Sequence, residues 1–214
     1  MPILNYVVIA VAAYLLGSIP TGYLVGRAKG IDIRTVGSGN IGATNVFRFL
    51  GTGPGAFALV VDGLKGYAAC SWLCDWLLAL LHAPQADAEW YRITAGIAAV
   101  LGHNYTCWLR FKGGKGIATS AGVFFALAPL AAGVALAVWI VVFALSRYVS
   151  IASIAAAIAL PAMVWLTPNS LTLGIVTTAL GLLAILKHQS NIERLLKGTE
   201  KRFGKKPATE EVTR

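Results

Sequence analysis

Charge is scarce in this sequence. Asp, Glu, Lys and Arg make up 13% of its 214 residues, about half of the ~25% usual for a soluble domain, and so few charges cannot cover a globular surface in water. Cysteine numbers three, with Cys70 and Cys74 four apart inside an apolar run; the odd count implies no disulfide framework, and the thiols read as buried packing. The three histidines are scattered and no Cys-Cys-His spacing accompanies them, so no metal site is assigned. The N-terminus also lacks the basic n-region of a secretory signal, so the first apolar stretch, Ile3 to Val25, is expected to be a retained helix.

What the sequence has in abundance is apolar side chains, 57% of the total, with a mean hydropathy of +0.70. The fold class that follows is an all-α integral membrane protein. Beyond the first stretch, apolar runs lie at about 52–82, 91–110, 117–147, 149–167 and 170–187, each bounded by charge, Pro or polar clusters. The net charge of +9 would suggest nucleic acid in a soluble chain, but its placement decides otherwise, and no nucleic-acid partner is expected. Eight of the 18 Lys and Arg lie between Lys187 and Arg214, four between Arg27 and Arg48 and three between Arg110 and Lys115. The positive-inside rule puts those segments in the cytoplasm and the acidic segment His82 to Glu89 outside.

This places the N-terminus outside, but an uninterrupted 117–147 run would leave the basic tail on the outer face as well. Pro129 divides that run, predicting a half-membrane helix to about Ala128 and a second helix returning to Arg147. About seven transmembrane or half-membrane helices result, N-terminus outside and C-terminus cytoplasmic. Half helices of this kind line sites. With no internal repeat, residues 1–214 read as one domain with a basic tail at about 188–214.

Three polar segments interrupt the apolar chain, and this topology gathers all three on the cytoplasmic side. The first, Val36 to Arg48, has Gly37, Gly39 and Gly42 to turn backbone N–H groups toward an anion, with Ser38, Asn40, Thr44 and Asn45 as further donors. It spells G-x-G-x-x-G, but no strand precedes it, which excludes a dinucleotide fold. In the second, Gly102 to Gly116, Lys112 and Lys115 flank Gly113 and Gly114 ahead of the half helix, an anion site with Lys115 as point charge. The third, His188 to Glu200, puts His188, Asn191 and Arg194 or Leu195 on one helical face, where His188 serves as base, as donor to phosphate or as a helix cap. Asp62 and Lys65 are expected to pair inside the second span, and Ser150 and Ser153 to bond substrate or cap a helix. His82 and Asp87 spell His-x4-Asp, an acyltransferase pattern, but on the outer side. A transporter would need ionisable groups through the depth of the bundle, and a lipid-binding scaffold would not need the glycine-rich segments.

Together, Gly17 to Arg27, Gly37 to Arg48, Gly102-His103 followed by Phe111 to Gly116, Asp62 to Gly66, Arg147 to Ser153, and His188 to Glu200 resemble the bacterial acyl-phosphate:glycerol-3-phosphate acyltransferase family, from about Tyr14 to Arg202. The resemblance implies acyl transfer from acyl phosphate to the sn-1 hydroxyl of glycerol-3-phosphate, giving 1-acyl-glycerol-3-phosphate and phosphate. It implies no cofactor; the membrane is expected to be a bacterial plasma or inner membrane with the active site on its cytoplasmic side, as the charge placement puts the three segments, and the chain is expected to be a monomer. On this resemblance Ser38, Gly39, Asn40, Gly42, Thr44, Asn45, Gly113 and Gly114 cradle the acyl phosphate. Arg48, Lys115, Ser153, His188 and Asn191 hold glycerol-3-phosphate, and Ser38, Lys115, His188 and Asn191 are the catalytic set. The proton of the attacking hydroxyl goes either to His188 or to a substrate phosphate, and no covalent acyl-enzyme is expected.

Overall fold

The structure, a computed structural model, describes residues 2–204; the last ten residues of the basic tail lie outside them. Among the described residues the regular elements are all helical: α1 (Pro2–Ser18), α2 (Thr21–Ala28), α3 (Ala43–Leu50), α4 (Thr52–Ala68), α5 (Cys74–Leu80), α6 (Ala88–Asn104), α7 (Ile117–Leu127), α8 (Pro129–Ser146), α9 (Val149–Leu166), α10 (Leu171–Leu186) and α11 (Gln189–Leu196). A π-helical turn, Ala69–Leu73, joins α4 to α5 in one 29-residue apolar helix. That helix, the Ile3–Ala28 stretch, α8 and α9 are each long and apolar enough to cross a membrane, as is α10 with α11 if their 52° bend is taken within one span.

Two of the expected features stand out. The division at Pro129 is present, and α7 is an 11-residue apolar helix about 16 Å long at ~1.5 Å per residue. The first stretch differs, because Pro20 breaks it between α1 and α2: a proline inside a helix removes an N–H and clashes with the preceding turn. Side chains take up the carbonyls at the break, with Thr106 Oγ1 donating to Ser18 O at 2.6 Å and Lys65 Nζ to Ile19 O at 2.9 Å.

Without a hydrophobic drive between helices in lipid, packing relies on close backbone approach through small residues. A Cβ on Gly102 of α6 would lie 2.2 Å from Tyr14 O of α1, and one on Gly122 of α7 would lie 1.9 Å from Gly63 O of α4. Helices α8, α9 and α10 follow as two consecutive hairpins, and a core of Phe124, Ala131, Ala135, Leu160 and Leu180 joins them to α7. One end of the bundle carries the 81–88 connection and the α9–α10 turn, tied by a hydrogen bond from Ser170 to Glu89. The other gathers the 29–42 loop, Tyr105–Gly116, the α8–α9 turn and α11. His82 and Asp87 therefore sit a full helix length away from Lys115 and His188, about 24 Å along α6.

Candidate active site

A cavity of about 300 Å³ opens at the second end. Its mouth is polar, with Ser38, Asn40, Thr44 and Arg48 from the first segment, Lys115 from the second, Ser150 and Ser153 from the start of α9, and His188, Asn191, Arg194 and Glu200 from the third. Its depth is apolar, walled by Ile117, Ala121 and Phe124 of α7, Ala132, Leu136 and Trp139 of α8, Ala156 and Leu160 of α9, and Leu180 and Ala184 of α10. The half helix α7 is thus a wall of the site. The face predicted for His188, Asn191 and Arg194 forms because the chain bends after α10 and turns α11 over the mouth.

Glu200 organises this mouth. Its carboxylate accepts from Asn191 Nδ2 at 2.7 Å, from Ser150 Oγ at 2.9 Å and from Arg194 Nε at 2.7 Å. Burial pushes its pKa up, but these three donors outweigh burial and hold it below the ordinary value. Asn191 Oδ1 accepts from Lys115 Nζ, so one chain of bonds runs from Ser150 through Glu200 and Asn191 to Lys115. Arg48 joins from the other side through Nη2 to Lys201 O at 3.0 Å, and burial lowers its pKa.

Lys115 has its pKa lowered to about 8, by burial first and then by Arg194 and Arg48, against the attraction of Glu200. His188 is lowered to about 4 by burial and by Lys115. Its Nδ1 lies 2.8 Å from Ala184 O. A carbonyl can only accept, so Nδ1 carries the hydrogen and Nε2 keeps its lone pair. Ser153 Oγ accepts from Trp139 Nε1 at 3.2 Å, which leaves its hydroxyl hydrogen for another partner.

The glycine-rich segments are wired differently from the expected cradle. Gly113 and Gly114 donate their N–H groups to Asn104 O at 3.2 Å and His103 O at 3.0 Å, so neither N–H faces a phosphate. Gly39 N–H goes to Val36 O at 3.0 Å and Gly42 N–H to Asn40 Oδ1 at 2.8 Å. Asn45 is a clamp: Nδ2 donates to Ile33 O and Val36 O, both at 3.1 Å, and Oδ1 accepts from Ser38 N at 3.3 Å. Asn40 ties the two segments together, donating from Nδ2 to Gly113 O at 3.4 Å. The donors at the cavity therefore include the Ser38, Thr44 and Ser153 hydroxyls and the cations, while the glycines serve tight turns and close contact. Among the described residues no group of three His, Cys, Asp or Glu could hold a metal ion.

Of the residues at the mouth, Glu200 went unassigned from sequence and Ser150 has a partner other than the expected one. Glu200 closes the third segment, but a search for phosphate donors passes over a carboxylate. Ser150, expected to bond substrate or cap a helix, instead donates to the Glu200 carboxylate.

A multi-pass helical bundle with three cations over an apolar groove defines a membrane protein suited to anionic amphiphiles. Residues 7–198 match the family described as glycerol-3-phosphate acyltransferase. Relatives carrying that description include one from Trichlorobacter lovleyi, 49% identical over 89% of this chain and 94% of its own, and one from a Synechococcus species, 45% identical over 95% and 96%. Two solved structures are similar, both described as PlsY (YgiH), an integral membrane glycerol 3-phosphate acyltransferase. The glycerol 3-phosphate form has a TM-score of 0.83 at 40% identity, covering 93% of this chain and 96% of that one. The lysophosphatidic acid form has a TM-score of 0.81 at 39% identity, covering 93% and 95%. The chain belongs to the glycerol-3-phosphate acyltransferase family.

Proposed function

We propose that this glycerol-3-phosphate acyltransferase uses acyl phosphate as its donor and esterifies the sn-1 hydroxyl. What carries this reading is one cavity with a cationic mouth and an apolar depth, which suits a fatty chain ending in phosphate beside a second, water-soluble phosphate. The basic segments at the mouth support a cytoplasmic placement by the positive-inside rule, in a bacterial plasma or inner membrane, with the chain acting as one domain and as a monomer.

Acyl phosphate is a mixed anhydride, so the site has mainly to orient two reactants and hold charge. Ser38 and Thr44 meet the acyl phosphate with Asn40 beside them, while the acyl chain lies along Ala121, Leu136 and Ala156. Arg48, Lys115 and Arg194 hold the glycerol-3-phosphate phosphate, with Asn191 steadying Lys115 and Ser153 at the edge. Gly113 and Gly114 act by placing Lys115. His188 Nε2 accepts a hydrogen bond from the neighbouring sn-2 hydroxyl, which aims the sn-1 oxygen at the acyl carbon.

The hydroxyl oxygen bonds to that carbon as the carbon to phosphate-oxygen bond breaks, and the electron pair leaves on phosphate. The hydroxyl proton passes to the departing phosphate, since an imidazole titrating at about 4 is a weaker base than a phosphate of pKa ~6. No acyl-enzyme is required.

Incubating the purified protein with palmitoyl phosphate and sn-glycerol-3-phosphate tests this. The expected products are 1-palmitoyl-glycerol-3-phosphate and inorganic phosphate in equal amounts. A 2-acyl product formed directly, or phosphate release without ester, would overturn it.

A further inference from the structure

Beneath Lys115 lies a second polar cluster that the transfer itself does not use. Lys65 Nζ makes three contacts, to Asp62 Oδ1 at 2.8 Å, to Ile19 O at 2.9 Å and to His103 Nδ1 at 3.0 Å. An ammonium can only donate, so His103 Nδ1 accepts from Lys65 and the ring carries its hydrogen on Nε2. Asp62 Oδ1 also accepts from Thr21 Oγ1 at 2.9 Å. The ion pair is almost completely buried, with 3% of each side chain exposed, and His103 is 5% exposed.

Such a cluster is a poor way to fill space, because apolar residues of similar shape do so without the cost of desolvating charge. Its position gives it another use. The His103 ring is the surface on which Gly114 rests: a Cβ there would lie 2.0 Å from His103 Nε2 and 2.8 Å from Cε1. The same turn is fixed from behind by Gly114 N to His103 O at 3.0 Å and Gly113 N to Asn104 O at 3.2 Å. Lys115 is the next residue in the chain, and Asp62 and His103 line the same cavity as Lys115.

We propose that Asp62, Lys65 and His103 are positioning residues that hold the Gly113–Gly114 turn at a fixed height and so set where the Lys115 ammonium meets glycerol-3-phosphate. The proposal rests on the acyltransferase reading above. Lys65 locks the His103 ring from below, and the ring supports the turn from inside the bundle. Losing the ring lets the turn sink and draws Lys115 away from the phosphate, while the donor side of the cavity, built by Ser38 and Thr44 and joined to the turn through the long Asn40 Nδ2 to Gly113 O bond at 3.4 Å, moves less.

The test measures KM for both substrates and kcat in His103→Ala and His103→Gln, after thermal unfolding in detergent shows each to be folded. His103→Ala is expected to raise the glycerol-3-phosphate KM about tenfold, the scale of one misplaced charged contact. The acyl-phosphate KM and kcat should stay within about threefold. His103→Gln, which keeps a side-chain amide under Gly114, should recover most of the loss. Should His103→Ala fail to fold, Asp62→Asn, which keeps the shape but removes the charge that fixes Lys65, should show the same one-sided rise in KM. Equal rises in both KM values, a fall confined to kcat, or no change would overturn the proposal. Wild-type protein run alongside separates the two readings: no transfer in the wild type removes the acyltransferase reading, whereas a normal wild type with substrate-blind variants removes only this one.

Discussion

Asn191 stands between Lys115 and Glu200, its Oδ1 accepting from the ammonium and its Nδ2 donating to the carboxylate at 2.7 Å. One amide thus holds the Lys115 cation and the acidic anchor of the C-terminal segment in register. Asn191→Ala removes both bonds. Hydrogen bonds to charged groups are worth about 1.5–3 kcal/mol, so kcat/KM for glycerol-3-phosphate should fall about 10- to 100-fold, as steady-state kinetics would show. A variant within twofold of wild type would mean that the amide is not needed to place Lys115.

Glu200→Gln keeps the shape of the anchor and removes its charge. The folded carboxyl has its pKa lowered, so its contribution to stability is present above the ordinary carboxylate value and is lost as pH falls through the folded value. Wild-type protein should lose thermal stability in that acidic window, and Glu200→Gln, less stable at neutral pH, should show a flatter dependence. Thermal unfolding in detergent across pH reads both effects, and parallel curves would contradict the assignment.

Lys115, at about 8 in the free protein, must be protonated to attract an anion. Affinity for glycerol-3-phosphate is therefore full between about pH 6, above which its phosphate carries both charges, and about pH 8, and declines as pH rises through the latter. Lys115→Arg, whose guanidinium stays charged, should lose this decline. Its KM should be several-fold higher at neutral pH, because a planar fork does not meet Asn191 as a compact ammonium does. Persistence of the same decline in Lys115→Arg would assign it to another group.

His188 stays neutral down to about pH 4. If a substrate phosphate takes the proton, the acidic limb of the kcat profile should lie near pH 6, following the phosphate, and should remain in His188→Gln at a rate lowered about 100-fold. Loss of that limb in the variant would make His188 the base.

Ala156 faces the apolar groove, and a phenyl ring there occupies space needed by the acyl chain. Ala156→Phe should raise the KM for palmitoyl phosphate about tenfold or more and leave that for glycerol-3-phosphate unchanged. A short-chain acyl phosphate should escape the effect.

Much of this architecture was legible in the sequence, and the reasons are physical. Apolar length and the placement of Lys and Arg foretold the helical segments, and Pro129 foretold the half helix α7. The break at Pro20 rests on the same rule, but the surrounding apolar run hid it. The residues that meet at the mouth were legible as well, because His188, Asn191 and Arg194 share a helical face once α11 forms. The hydrogen bonding of the glycine segments was not. A phosphate nest and a tightly packed turn draw on the same residues, and only coordinates show that Gly113 and Gly114 bond inward and that Asn45 clamps its own loop. Glu200 is the instructive miss. A search for anion-binding groups selects donors, yet the site needs a carboxylate to hold those donors in place.

The most direct test of the account offers purified protein radiolabelled glycerol-3-phosphate with palmitoyl phosphate, palmitoyl-CoA or palmitoyl carrier protein in separate reactions. The account predicts labelled 1-palmitoyl-glycerol-3-phosphate with palmitoyl phosphate alone. Product from either thioester, with none from acyl phosphate, would contradict it.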